Sequence, residues 1–297
     1  MEATAVAAAT ALSPSERWLV VGHGSVGSFL TARLAANGAS VFVYDPDPRV
    51  PVAHGRRVDG PELPGGPVGL AISCVPPSVA GAVPEVLNAA VRADGVVFDW
   101  NTVSPSLKQR IRDRLVPGMV DVALLDSLDG ASEEPMLAVS GEAATAASAI
   151  LVEHGFSVEV AGEHVGEAAA LKYLRSIFMK SLEALVLEYA SLASTVPAES
   201  IVRTSLEHNL GERFTSFMDL LLATNRIHAE RRGLELEDAV ATFSANGSHP
   251  EVAAAAVHVL RQAAQAWAEP AAPQAGASLE ALADHLHRTL WREAAST

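Results

Sequence analysis

A chain of 297 residues, about half of them hydrophobic, is long enough for two domains of ordinary size or for one core with a helical appendage. A formal charge of -14 argues against nucleic acid or an anionic membrane as partner, because an acidic surface repels both. The one cysteine, Cys74, lies in an apolar run, which excludes an internal disulfide and fits a reducing compartment; no apolar run reaches the roughly 18 residues of a membrane span, so a cytoplasmic protein is expected.

Residues 1–13 are rich in alanine but lack the basic start and long apolar stretch of a secretory signal, and they read as a disordered tail. An apolar strand from Trp18 then runs into Gly22-His23-Gly24-Ser25-Val26-Gly27, and a helix-like stretch follows from Ser25 to Asn37, stopped by Asn37-Gly38. In such a G-x-G-x-x-G turn the first glycine allows the tight bend, the second admits a pyrophosphate, and the third lets helix and sheet pack closely. Val41 to Tyr44 reads as the second strand. Asp45 ends it 21 residues after Gly24, where a carboxylate can accept hydrogen bonds from both adenosine ribose hydroxyls. The plain alternative is a glycine-rich turn in some other α/β domain.

Pro46 to Arg49 is a loop, and from Pro51 to Pro67 only fragments of regular structure are expected. Gly69 to Val75 is an apolar strand of the kind buried in a parallel sheet, stopped by Pro76-Pro77. Helical spacing follows over Ser78 to Arg92, a strand over Gly95 to Trp100, and a helix from Ser104-Pro105 to Leu115. Met119 to Leu125 and Met136 to Ser140 are further strands, and Gly141 to His154 another helix. This alternation predicts a Rossmann-type doubly wound parallel sheet over residues 14–162. Past Gly162 every segment reads helical, with breaks at Pro197, Gly233, Gly247 and Pro270 to Gly276, so residues 163–297 are expected to form an all-helical substrate and dimerisation domain joined by a long helix, His164 to Ala193.

Ligands of open parallel sheets bind beyond the carboxyl ends of strands, which directs attention to Val75-Pro76, Asn101-Thr102 and Asp126-Ser127. Asn101 and Thr102 suit a nicotinamide amide or a substrate, or else cap the helix that begins at Ser104-Pro105. On the long helix Lys172, Ser176 and Lys180 recur every four residues and share a face, with Arg175 beside them. The other positions, Leu171, Tyr173, Leu174, Ile177, Phe178, Met179, Leu182 and Leu185, point to a mostly buried helix. The polar stripe therefore either faces water or lines a cavity.

These motifs resemble the β-hydroxyacid dehydrogenase superfamily, which includes 6-phosphogluconate dehydrogenase and the imine reductases. Gly166-x-Ala168-x-x-x-Lys172-x-x-Arg175-Ser176 is similar to the family's G-x-G-x-x-x-K-x-x-N-N, and Asp99-x-Asn101-Thr102-x-Ser104-Pro105 to its D-x-S-T-x-S-P. Within the superfamily, Leu171-Lys172 to Lys180 together with His228-x-x-Arg231-Arg232 most resembles a phosphogluconate-dehydrogenase-like group with a C-terminal domain of unknown function. The resemblance implies an NAD(P)-dependent oxidoreductase that interconverts a small hydroxy compound and its carbonyl. Lys172 is then the acid/base. A neighbouring arginine and an apolar helix should lower its pKa toward the range where such catalysis is efficient. Ser176 replaces the family's partner asparagine and can still orient a carbonyl. Where the family has D-x-P-V-S-G-G, this chain reads Asp121 to Ser127, so the carboxylate-binding nest is gone; Asp126 would repel an acidic substrate, or is a turn residue before Gly130. Arg175 and Lys180 remain to hold an anionic group. His228 and Arg231 either approach the site, as that region does in the family, or form an exposed charged face.

The cofactor expected is NAD, with NADP possible: Asp45 repels a 2′-phosphate, Pro46 stands where NADP-dependent relatives commonly carry arginine or asparagine, and Arg49 is the one residue placed to hold that phosphate. A homodimer is expected, because Leu182, Leu185, Val186, Leu220, Leu221, Leu222, Val257, Val259 and Leu260 exceed what a lone helical layer buries. The site is expected at the junction of the domains, with Asp126 and Ser127 on the sheet side and Arg175 and Ser176 on the helix side. Oxidative decarboxylation and imine reduction are the enzymatic alternatives, and a non-catalytic dinucleotide sensor or partner subunit is the alternative of another class.

Overall fold

The apolar runs of the first half become neighbours in one sheet. A computed structural model describes residues 17–126 and 134–291; the expected tail over 1–13 and Ser127 lie outside the described residues. The strands are β1 (Arg17–Val21), β2 (Ser40–Tyr44), β3 (Arg56–Val58), β4 (Val68–Ser73), β5 (Val91–Asp99), β6 (Gly118–Leu124), β7 (Met136–Ser140) and β8 (Ser157–Gly162). They lie in the order β3-β2-β1-β4-β5-β6-β7-β8, and all pairs are parallel except β6 with β7. Strand order reverses between β1 and β4, and at such a switch point a crevice opens beyond the carboxyl ends.

Helices α1 (Ser25–Ala36), α2 (Pro77–Ala80), α3 (Val83–Ala90), α4 (Pro105–Arg114) and α5 (Ala144–Glu153) connect these strands. Trp18 and Val20 of β1 enter one core and Leu19 and Val21 the other, so the sheet is covered on both faces and β4 is buried throughout. Sequence periodicity misplaced three features here. The helix expected over Ser78 to Arg92 divides at Gly81, because Pro84 is tolerated only in a first turn, and Val91 already belongs to β5. β8 was not anticipated: it is an edge strand with no buried face, and so carries no alternation to read. β7 lies at the expected Met136–Ser140, but it pairs antiparallel with β6 where a wholly parallel sheet is expected.

The chain divides into two units within the long helix α6 (Glu167–Ala193), the first ending at Lys172 and the second starting at Tyr173. The second contains the rest of α6 with α7 (Ser200–Leu210), α8 (Glu212–Ala245), α9 (Glu251–Ala268) and α10 (Leu279–Thr289). Its core joins Leu187, Leu221, Leu222, Leu236, Leu260 and Leu286. The break expected at Gly233 does not occur, and α8 runs straight through it. Gly233 is buried, and a Cβ there would stand 3.6 Å from the Leu260 Cβ, so this glycine lets α9 approach rather than ending a helix. No helix among the described residues is long and apolar enough to cross a membrane.

Candidate functional site

The glycine loop joins β1 to α1, and its three glycines do different things. Gly22 has φ +89, and a Cβ there would stand 2.5 Å from the Cys74 carbonyl oxygen; a Cβ on Gly27 would stand 2.1 Å from the Gly22 oxygen. Both are demanded by the fold. Gly24 is not: its φ is -68, and a Cβ would meet nothing within 4 Å. Gly24 is also the N-cap of α1, which has neither a side-chain cap nor an acidic residue in its first turn. An open position facing a helix N-terminus fits a phosphate group.

Asp45 lies beside this loop. Its Oδ2 accepts from the His23 backbone N–H at 2.8 Å and its Oδ1 from that of Asp47 at 3.0 Å, and the carboxylate keeps lone pairs for further donors. Arg57 donates to the carbonyls of Asp45 at 3.0 Å and Val50 at 2.5 Å, fixing the loop after β2. Arg49 is paired with Asp47 at 2.9 Å. The His23 ring is buried with Nδ1 3.1 Å from the Pro51 carbonyl, and burial lowers its pKa. The Cys74 thiol donates to the Gly22 carbonyl at 3.1 Å; burial raises its pKa far above the ordinary value, so it is a neutral packing group under the loop.

At the carboxyl ends of β4 and β5, Asn101 is buried and its amide joins the two strands. Oδ1 accepts from the Val75 N–H at 2.7 Å, and Nδ2 donates to Ser73 Oγ at 2.8 Å and Asp99 Oδ2 at 3.0 Å. The capping role weighed for Asn101-Thr102 belongs to Ser104, whose Oγ accepts from the Leu107 N–H. Thr102 instead accepts from Lys172: its Oγ1 lies 2.8 Å from Nζ. Asp126 accepts from the Met136 N–H at 2.8 Å and so ties the end of β6 to the start of β7.

Sequence reasoning missed a buried charge cluster behind this edge. Lys108 Nζ lies 2.5 Å from Asp99 Oδ1, 2.8 Å from the Asp99 carbonyl and 2.9 Å from Asp121 Oδ1. Burial opposes the charge of Lys108, but Asp121 and Asp99 together raise its pKa above the ordinary value. The other oxygen of Asp121 accepts from the N–H groups of Gly166 at 3.1 Å and Ala169 at 3.0 Å, and Ser140 Oγ accepts from Ala168 N–H at 3.0 Å. Two strands thereby cap the N-terminus of α6 from outside the helix. A signal was present: the chain has only three lysines, 108, 172 and 180, against 18 arginines.

In the helical unit the polar stripe turns inward at Lys180, with Ser176 half-buried beside it. Lys180 is buried, donates to Ser176 Oγ at 3.0 Å and pairs with Glu235 at 3.0 Å. Burial lowers its pKa, against the opposing pull of Glu235. Its charge is thus taken up inside the unit. Arg175 is exposed. Arg231 points outward and pairs with Glu235, whereas Arg232 turns inward to the buried Glu183 at 2.6 Å; His228 is half-buried. The apolar face is correspondingly reversed. Leu171, Leu174, Phe178 and Leu185 are exposed on the chain, contrary to the expected burial, while Tyr173 is buried.

A model of a domain of unknown function, DUF1932, matches residues 199–263. An uncharacterized 28.5 kDa protein of Methanothermus fervidus is 32% identical over 168 residues, which are 56% of this chain and 64% of that protein. The match therefore spans less than two thirds of that relative. Conserved protein MTH1747, of unknown function and structurally similar to 3-hydroxyacid dehydrogenases, aligns at 25% identity over 84% of this chain and 97% of its own, with a TM-score of 0.67. The chain has the fold of the 3-hydroxyacid dehydrogenases. Mycobacterium tuberculosis 3-hydroxyisobutyrate dehydrogenase, solved with L-serine, shares it at 17% identity over 91% of this chain and 99% of its own, TM-score 0.71.

Proposed function

We propose that the protein is an NAD(P)-dependent oxidoreductase of the 3-hydroxyacid dehydrogenase type, interconverting a small hydroxy compound and its carbonyl with Lys172 as acid/base. The observation that carries this reading is the Lys172 amine on Thr102, at the same carboxyl edge of the sheet as the glycine loop. Gly22 to Gly27, Asp45, Val75 and Pro76 hold the dinucleotide, which when bound supplies the hydride acceptor or donor. In the reductive direction Lys172 gives a proton to the carbonyl oxygen, and in the oxidative direction it removes one from the hydroxyl. Thr102 aims the amine. Ser176 Oγ accepts from Lys180, which leaves its own hydrogen for another acceptor. Asn101 shapes the floor of the site through the strand ends, and exposed Arg175 is the cation available to an anionic group.

Asp45 favours NAD over NADP, since it would face a 2′-phosphate, and Arg49 is occupied by Asp47. We further propose a homodimer. Leu171, Phe178, Leu185 and Leu192 recur every seven residues along α6, and Leu220, Ile227 and Leu234 along α8; all are exposed on the single chain. Heptad apolar stripes on two long helices are a surface that a second copy covers.

The test is NADH consumption over a panel of small carbonyl compounds. Lys172→Met is expected to keep NADH affinity within about threefold while lowering turnover by about 10²- to 10⁴-fold. Tight NADH binding with no turnover on any carbonyl would favour a sensor instead.

A further inference from the structure

Lysine is the rare cation of this chain, and Lys108 lies where an arginine would not fit. Two oxygens of Asp99 accept hydrogen bonds from its ammonium and Asp121 Oδ1 adds an ion pair at 2.9 Å, so three oxygens surround one compact charge. A planar guanidinium cannot direct its fork at three points around one centre. Such a cluster is a poor source of stability, because apolar residues of similar volume do as well or better in its place. Its worth lies in what the two carboxylates reach.

From Lys108 one branch runs through Asp99, whose carboxylate accepts from the backbone N–H and Nδ2 of Asn101 at 3.0 Å each, and Asn101 precedes Thr102. The other runs through Asp121 to the N–H groups of Gly166, just before α6, and of Ala169 in its first turn, ahead of Lys172. There the negative oxygen also faces the positive end of the helix dipole. Both branches end on the partners of a single hydrogen bond, Lys172 Nζ to Thr102 Oγ1. We propose that Lys108 is the positioning residue of this pair: it holds both carboxylates in place, and they set the strand end and the helix turn against each other. This rests on the reading of Lys172 as the acid/base.

The experiment uses the full chain labelled with 15N at the lysine side-chain nitrogens. Three amine signals result, and Lys172→Arg assigns that of Lys172. In Lys108→Met and in Asp121→Asn, the pH midpoint of the Lys172 amine is expected to move by about half a unit or more, a threefold change in its proton equilibrium, while that of Lys180 stays put. A smaller shift at Lys172 in variants that fold would overturn the proposal, even if their melting temperatures fell, because a merely structural cluster changes stability alone. If both variants fail to fold, Ser140→Ala, which removes only the hydroxyl capping Ala168 N–H, is judged by the same threshold. No substrate is needed. A carbonyl panel that fails while Lys172 responds to Lys108 would sink the enzymatic reading and leave the positioning intact.

Discussion

Substitutions at Gly24 and Gly27 should separate binding from folding, although the two lie three residues apart in one motif. A Cβ on Gly27 would stand 2.1 Å from the Gly22 carbonyl oxygen and 3.0 Å from the Cys74 sulfur. The oxygen contact is more than an ångström too short, and backbone must move to relieve it. Overpacking of this kind costs about 1–3 kcal/mol, and the rigidity of a strand-to-helix turn puts Gly27→Ala at the upper end. For a unit of this size, about 3 kcal/mol corresponds to a fall of roughly 6–12 °C in its melting temperature. Gly24→Val meets no protein atom within 4 Å and needs no unusual φ, so its cost is that of replacing a tolerated N-cap, about 1 kcal/mol and 2–4 °C. Its side chain fills the space offered to the pyrophosphate. NADH affinity should therefore drop at least about a hundredfold, or 2.7 kcal/mol. Calorimetric titration with NADH and a thermal melt on each variant provide both numbers. Gly24→Val binding NADH within threefold of the parent chain would refute the phosphate cradle, whatever Gly27→Ala does.

Gly233→Ala should stabilise the helical unit by about 0.5–1 kcal/mol, because the new Cβ meets Leu260 at an ordinary 3.6 Å and the helix loses its most flexible interior residue; Gly233→Leu should destabilise it, and denaturant midpoints decide both. Burial lowers the pKa of His154 and of His23, so each binds its proton more weakly folded than unfolded. Their contribution is complete above the ordinary histidine value of 6.5 and is lost as pH falls through the lowered folded values, so melting temperature should drop on acidification from neutral pH. His154→Phe, which keeps an aromatic ring near Trp18, should make that drop shallower, and an unchanged slope contradicts the assignment. Light scattering should give twice 31.0 kDa at micromolar concentration, reduced toward a single copy by Phe178→Glu with Ile227→Glu; a parent chain that is already monomeric refutes the second-copy reading of the stripes.

The nucleotide sheet was legible because its signals are local. Gly22 to Gly27 must be glycine-rich to turn between a strand and a helix, and a strand such as β4, buried on both faces, is apolar at nearly every position. Where a local signal had two meanings, the sequence misled. Gly233 reads as a helix stop until Leu260, distant in sequence, is known to pack on it. The alternation of Lys172, Ser176 and Lys180 with leucines on α6 was legible as two faces, but not which face turned inward. Periodicity gives a helix its stripes and says nothing of what lies opposite them. Glu235, 55 residues after Lys180, draws that lysine inward, and the apolar side chains left outside on α6 repeat with the same heptad spacing as those on α8.

Packing distant in sequence also decides which apolar residues a second copy could cover. Val186, Leu221, Leu222, Val257, Val259 and Leu260, expected to need a partner, are buried within the chain's own helical core. Leu185 and Leu220 are exposed, as are Phe178, Ile227 and Leu234, which the sequence reading had not weighed for assembly. Excess apolar residues were thus a poor guide and regular spacing of exposed ones a better guide, because a core accepts apolar side chains at any spacing whereas a helix-on-helix interface demands a period. The charge cluster at the carboxyl edge of the sheet obeys a related rule. Asp99, Lys108 and Asp121 are each unremarkable in their own segment, and only the neighbouring positions of β5 and β6 in the sheet bring two carboxylates to one ammonium. What marked them in the sequence was scarcity. In a chain that uses arginine for 18 of its 21 cations, each lysine lies where a compact ammonium makes contacts that a guanidinium would not reproduce.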